Sequence, residues 1–343
     1  MGTRCWMIAT MFFTGVASAG TPTPHSVAAA KATAKQNPLC QAVTPFFWEI
    51  GDDSGALVSA SIGVNSAGAP VRATTKMDVA SSSKWLYGAY ILQLRGAVDN
   101  LTDEDIDFLH MTSGYSNMGG DGIPAGTCPA SDNPDSINVC LTLLNPANGL
   151  PYSYQDPTTT GYFDYDAGHF ENHASQFSSL GDLANGSLGP AVSRPLGPSV
   201  LFSYSQPLLA GGVYTTPATY AVVLRHIVAA TLVMRDALGI DPVCTLASAS
   251  CQAFNTPIPE AWHYSIAHWV EDDPATHGDG AFSAPGAQGF YPWIEASKAY
   301  YGILARVTAS SPQQGVASVQ CGRLIRRAWD TGVQQRGKLP SAH

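Results

Sequence analysis

Between Ser81 and Leu94 the chain reads SSSKWLYGAYILQL, and beyond Lys84 almost every position is apolar on all sides of a helical projection. A helix with no polar face has to be buried, so this segment predicts a core helix beginning near Ser81. Upstream, Phe46 to Ile50 and Ala56 to Val64 are rich in β-forming residues on either side of Gly51-Asp52-Asp53-Ser54-Gly55, which predicts a hairpin. From Gly119 to Thr160 the chain is dense in Gly, Pro, Asn, Asp and Ser, an extended loop region. Helical spacing returns around His169 to Leu183, and from Thr216 through Met234, where Tyr220, Val223, Leu224, Ile227, Val228 and Leu232 recur on one face. Gln288 to Ile294 and Ala299 to Val307 read as two strands, and Pro312 to Gln335 as a final amphipathic helix. Strands first, helices between and strands last predict an α/β (α+β) fold: a domain over 38–335 whose sheet comes from 40–80 and 281–335, with a helical subdomain over about 81–275.

The ends and the composition narrow this picture. Residues 1–19 have the form of a secretory signal, with Arg4, a short apolar core from Cys5 to Val16, and Ala17-Ser18-Ala19 as the cleavage site. Residues 20–37, polar and alanine-rich, read as a disordered linker. No later segment offers the roughly twenty uncharged apolar residues of a membrane span, so the expectation is a secreted or periplasmic protein with no integral membrane segment. Without Cys5, the set is Cys40, Cys128, Cys140, Cys244, Cys251 and Cys321, an even number suited to an oxidising compartment. Six cysteines allow fifteen pairings; closeness in sequence favours Cys128 with Cys140 and Cys244 with Cys251, which leaves Cys40 for Cys321. Charged residues make up 13% of the chain and the net charge is −9, with no dense basic run, which argues against nucleic acid as a partner.

Candidate chemistry centres on Ser81 and Lys84. Three residues apart at a helix start, they share a face, and a desolvated lysine loses enough proton affinity to take the serine proton. The alternative is a capping serine beside a surface lysine; the apolar run after Lys84 favours the first reading. His169 and His173, four apart with Glu171 between, could seat a metal, yet no third ligand stands at a useful spacing. No metal and no cofactor are therefore expected. Trp262, His263, His268 and Trp269 could line a cleft or form a loop of half-buried aromatics.

The order of these landmarks resembles the serine β-lactamase and penicillin-binding-protein superfamily, in particular its class C β-lactamase, D-alanyl-D-alanine peptidase and β-lactamase-like esterase branch. The resemblance runs from about Phe46 to Val307. Ser81-Ser82-Ser83-Lys84 matches the first motif, and His110-Met111-Thr112-Ser113-Gly114 is similar to the landmark that follows it. Pro195-Leu196-Gly197 and the run from Ala210-Gly211-Gly212 to Thr216 are similar to two later ones. The resemblance implies an antiparallel sheet flanked by N- and C-terminal helices plus a helical subdomain.

For the family's Tyr-x-Asn motif, Tyr165-Asp166-Ala167 fits best by position, although Ala167 replaces the asparagine; Tyr115-Ser116-Asn117 and Tyr204-Ser205-Gln206 are the rivals. For the third motif, Ala284-Pro285-Gly286 aligns best, with His277-Gly278-Asp279 as another register. The implied site is Ser81 as nucleophile, Lys84 and Tyr165 as proton carriers, and the N–H groups of Ser81 and Ala287 as the oxyanion hole. Gly286, His277 and His169 are expected against the substrate. Ala284 supplies no cation to grip a carboxylate, which points to a small-molecule or peptide-like ester or amide, with esters favoured over β-lactams. The alternatives are a D-alanyl-D-alanine carboxypeptidase or β-lactamase, or a binding protein that keeps the fold without activity.

Overall fold

The computed structural model describes residues 23–119, 128, 135–276 and 278–339, so the signal segment and His277 lie outside the described residues. The elements in chain order are α1 (Pro24–Gln36), α2 (Pro38–Gln41), β1 (Phe46–Asp52), β2 (Gly55–Ile62), β3 (Met77–Asp78), α3 (Ser83–Arg95), α4 (Asp103–Leu109), α5 (Ile137–Leu141), α6 (Gly168–Phe177) and α7 (Asn185–Ser193). They continue with β4 (Ser203–Tyr204), β5 (Val213–Thr215), α8 (Pro217–Val228), α9 (Met234–Ala237), β6 (Val243–Cys244), β7 (His263–Ser265), β8 (His268–Glu271), β9 (Ala281–Ser283), β10 (Tyr291–Ile294), β11 (Tyr301–Ala305) and α10 (Pro312–Thr331).

The main sheet runs β2-β1-β11-β10-β9-β8-β7-β6, and β3-β5-β4 form a small second one. Every neighbour in the main sheet is antiparallel. Because strand side chains alternate between faces, the register assigns the helices. Glu49 stands opposite Ile303, and Tyr301, on the same face, donates to the Glu49 carboxylate and accepts from Arg225 of α8. Tyr291 and Trp293 point the other way, onto Gly322 of α10. Thus α8 covers one face and α10 the other, and β1, β10 and β11 are buried almost throughout.

Two expectations need correction. Residues 24–36, read as a linker, form α1: Thr23 caps its N-terminus, and Ala29, Ala30, Thr33 and Ala34 are buried where it lies along α10. Alanine is the strongest helix former and its small side chain lets two helices approach closely, so an alanine-rich composition that looks featureless is here a docking face. The sheet is also wider than expected. β6, β7 and β8 come from 243–271, inside the segment assigned to a helical subdomain. They are two to four residues long, and β8 is buried on both faces, so they carry none of the polar alternation by which strands are found.

The three disulfides are Cys40–Cys321, Cys128–Cys140 and Cys244–Cys251. The first joins α2 to α10 across the two ends of the chain. No helix among the described residues is long and apolar enough to cross a membrane.

Candidate active site

α3 is preceded by a 3-10 turn over Ala80–Ser82, so the helix proper starts two residues later than expected. Ala80 has φ of 47°, a left-handed conformation that costs a non-glycine residue about 1 kcal/mol. The bend is held from three sides. The Ser82 hydroxyl donates to the Ala284 carbonyl at 2.6 Å. The Ser83 hydroxyl donates to the Ala80 carbonyl at 2.6 Å and accepts from the Val213 N–H at 3.1 Å. The Tyr220 hydroxyl donates to the Ser82 carbonyl at 2.9 Å. The two middle serines of the motif are therefore braces, and Ser81 alone is left facing open space.

Lys84 is buried, and its Nζ lies 3.2 Å from the Ser81 Oγ and 2.9 Å from the Ala210 carbonyl oxygen. Burial pulls its proton affinity down to about 8 against the opposing pull of Glu171 and Asp166. At neutral pH that leaves roughly a tenth of the amines uncharged, about three-hundredfold more than for an ordinary lysine. The folding cost is about 3 kcal/mol; the neighbouring Trp85, Leu86, Ile91 and Leu92, each 0 or 1% exposed, contribute about 2 kcal/mol apiece and outweigh it.

Tyr165, just before α6, stacks on Trp269 at 5.5 Å between ring centroids and lies edge-on to Tyr264 at 6.2 Å. The Lys84 Nζ sits 4.7 Å from the centre of its ring. Burial pushes the phenol up to about 12, while the nearby polar groups of Ser81 and Trp269 act the other way. A phenolate at neutral pH is therefore rare, and the lysine is the better base of the two. The rival tyrosines are placed otherwise: Tyr115 stacks on Phe108 and Tyr204 packs on Phe202.

Ser81, Tyr165 and Ala287 line one cavity of about 630 Å3, walled by Asn255 to Ile258, Pro285 and the segment Ser310 to Val316 at the start of α10. Among the described residues, neither the Ser81 N–H nor the Ala287 N–H donates to another protein group, which leaves both available to an oxyanion. Among the described residues, the lining contains no Lys, Arg, His, Asp or Glu. Gly286, expected against substrate, is instead a packing position: a Cβ there would lie 2.2 Å from the Val79 carbonyl oxygen. His169 likewise does not line the cavity. It is fully buried, its Nδ1 accepting from the Ser113 hydroxyl at 2.7 Å and its Nε2 donating to the Asp164 carbonyl at 2.9 Å. Burial pulls it down to about 3, so it is a neutral strut. His173 bridges the Tyr87 hydroxyl and the Asp105 carboxylate, and among the described residues no cluster of three metal-binding side chains occurs.

Several contributors were not foreseen: the bent Ala80, the wall from Asn255 to Ile258, and the start of α10. The Asn255 carbonyl accepts from the Tyr165 N–H, and its amide donates to the Tyr165 carbonyl, so this wall is clipped to the tyrosine. Nothing short of the folded sheet brings these segments together, and only Asn255-Thr256-Pro257, a turn-like triplet, gave any local signal.

No protein-family model matches the chain, and no curated protein sequence matches it at a significant level. Solved structures do. A penicillin-binding protein from Bacillus halodurans superposes with a TM-score of 0.55 at 13% identity, over 82% of this chain and 98% of that one. Unliganded simvastatin synthase (LovD) from Aspergillus terreus gives 0.52 at 13% identity, over 89% of this chain and 100% of that one. The octameric penicillin-binding protein homologue from Pyrococcus abyssi gives 0.53 at 11%, over 86% and 76%. At such identities the likeness speaks for the fold alone, a mixed fold of helices and antiparallel sheet of the β-lactamase and transpeptidase type.

Proposed function

We propose that the protein is an exported serine hydrolase that cleaves esters through an acyl-enzyme. The observation that carries this reading is the Lys84 amine, buried and depressed in proton affinity, 3.2 Å from the Ser81 hydroxyl at the mouth of a cavity. In the first half-reaction the Ser81 Oγ forms a bond to the ester carbonyl carbon while its proton passes to neutral Lys84. The carbonyl oxygen takes the negative charge opposite the N–H groups of Ser81 and Ala287. Collapse breaks the bond to the alcohol oxygen, which leaves with the proton handed back by Lys84 through the Tyr165 hydroxyl. Water then repeats the sequence, transferring its hydroxyl to the acyl carbon and returning the proton to Ser81.

The uncharged lining supports esters, or amides without a free carboxylate, over substrates gripped by a cation. Three disulfides support residence in an oxidising compartment. The test is hydrolysis of p-nitrophenyl butyrate together with labelling by a fluorophosphonate. Ser81→Ala is expected to lose both; a variant that still turns over the ester takes Ser81 out of the mechanism.

A further inference from the structure

We propose that Glu171 is a positioning residue of this site: its carboxylate holds the Leu209–Ala210 backbone, and through the Ala210 carbonyl it fixes where the Lys84 amine sits. The inference rests on Ser81 and Lys84 acting as nucleophile and base. Glu171 does not reach the cavity. It lies fully buried on α6, six residues beyond Tyr165. Its Oε2 accepts from the Leu209 N–H at 3.0 Å and its Oε1 from the Ala210 N–H at 2.9 Å. Ala210, gripped in this way at its nitrogen, offers its oxygen to Lys84 at 2.9 Å. The segment is tight because the Gly212 N–H returns to the Leu208 carbonyl at 2.7 Å, and a Cβ on Gly212 would lie 2.5 Å from the Gln206 carbonyl oxygen.

Two features make a carboxylate the right group. Two converging N–H donors need two acceptor oxygens, whereas a glutamine would turn its own NH2 toward one of them and leave a buried donor unpaired. Negative charge at this position also favours the protonated amine, so Glu171 sets the proton affinity of Lys84 as well as its location. The groups around that pair are the buried Asp166, which accepts from the Met118, Gly119 and Gly168 N–H groups, neutral His169, and the phenols of Tyr165, Tyr87 and Tyr204. Of these, Glu171 and Asp166 alone can carry a negative charge near neutral pH; burial raises both, Glu171 to about 7 against the pull of the Leu209 and Ala210 N–H groups and of Lys84, and Glu171 acts more strongly on Lys84 than Asp166 does.

The experiment is a pH profile of kcat and KM on p-nitrophenyl butyrate for the full chain and for Glu171→Gln and Glu171→Asp, with near-ultraviolet circular dichroism to check the fold. In Glu171→Gln the acid limb of kcat is expected to move to lower pH by about one unit. The plateau is expected to fall about tenfold with KM nearly unchanged, because the base is misplaced rather than the substrate. Glu171→Asp keeps the charge but loses reach, so its acid limb should stay while its plateau falls. A folded Glu171→Gln whose acid limb does not move overturns the proposal. Should Glu171→Gln not fold, Glu171→Asp decides, and a wild-type plateau there overturns it. Ser81→Ala separates the two levels: if it remains active, the serine mechanism fails, whereas inactive Ser81→Ala beside an unmoved Glu171→Gln limb removes only the role of Glu171.

Discussion

The two walls of the cavity are built on opposite principles. The wall that carries Ser81 and Tyr165, with Lys84 buried behind them, holds two titratable groups, Lys84 and Tyr165, that burial forces out of their ordinary range, and Lys84 is held by the Ser81 hydroxyl and the Ala210 carbonyl. The wall that faces them, from Asn255 to Ile258, Pro285, Ala287 and the start of α10, is neutral. One wall accepts an energetic penalty to hold a reactive proton arrangement; the other supplies shape, small polar groups and one backbone N–H. Substitutions on the first wall should therefore change kcat, and those on the second should change binding or stability.

Lys84→Met makes the sharpest contrast. Replacing the base by an apolar chain of similar volume is expected to lower kcat about a thousandfold or more while making the protein more stable. The sign follows from the depressed proton affinity. Between about 8 and the ordinary lysine value of 10.5 the folded state binds fewer protons than the unfolded state, so stability rises with pH there. The cost of burying the ammonium is thus fully present below about pH 8 and is lost as the pH climbs towards 10.5. Chemical denaturation should show Lys84→Met more stable by about 2 kcal/mol at pH 7, allowing for two lost hydrogen bonds, and by almost nothing at pH 10. A variant less stable at pH 7 would mean that Lys84 is not a strained base.

Gly286→Ala asks whether the neutral wall is as rigid as its packing implies. The added methyl must displace the Val79 carbonyl, backbone that leads straight into Ala80 and Ser81. A loss of about 3 kcal/mol is expected in denaturant unfolding, and a wild-type midpoint would show that the turn after Pro285 can yield. Tyr165→Phe returns to the reactive wall. It keeps the ring stack on Trp269 and removes the hydroxyl, so kcat should fall about a hundredfold with KM preserved. An unchanged kcat would leave Lys84 as the sole proton carrier.

The same division governs what could be read from the amino-acid order. On the reactive wall, the pairing of Ser81 with Lys84 was legible because a serine and a lysine one turn apart ahead of an apolar helix share a face, whereas Tyr165 was singled out by the resemblance to a family motif and not by any local pattern. β1 and β2 were legible from β-forming residues on either side of a turn sequence, β10 and β11 from two such runs close together, and α10 from its amphipathic period. The neutral wall was not. Gly286 was read for its place in a motif, when its demand is steric and comes from Val79, two hundred residues away. His169 looked like a pocket residue because histidine so often is; its neighbours Ser113 and Asp164 turn it into a strut. β6, β7 and β8 were missed because strands of two to four residues are too short to show alternation, and β8 is in addition buried on both faces. Alanine-rich α1 was missed because composition was weighed without helix propensity.

The smallest expected effect tests the neutral wall most directly. Val316, on the first turns of α10, is half-buried and lines the cavity. Removing two carbons there takes away apolar area that a bound acyl chain touches equally in the ground state and in the transition state. That is uniform binding, so KM should rise while kcat stays put. At roughly 25 cal/mol per Å2 and partial burial, the loss is about 1 kcal/mol, or roughly fivefold in kcat/KM. The loss should appear only once the acyl chain is long enough to reach α10. A series of p-nitrophenyl esters from acetate to octanoate measures it in Val316→Ala: acetate should show no effect, and the longer chains a KM increase that levels off. A fall in kcat across the whole series would put α10 within the reactive machinery and erase the division between the two walls.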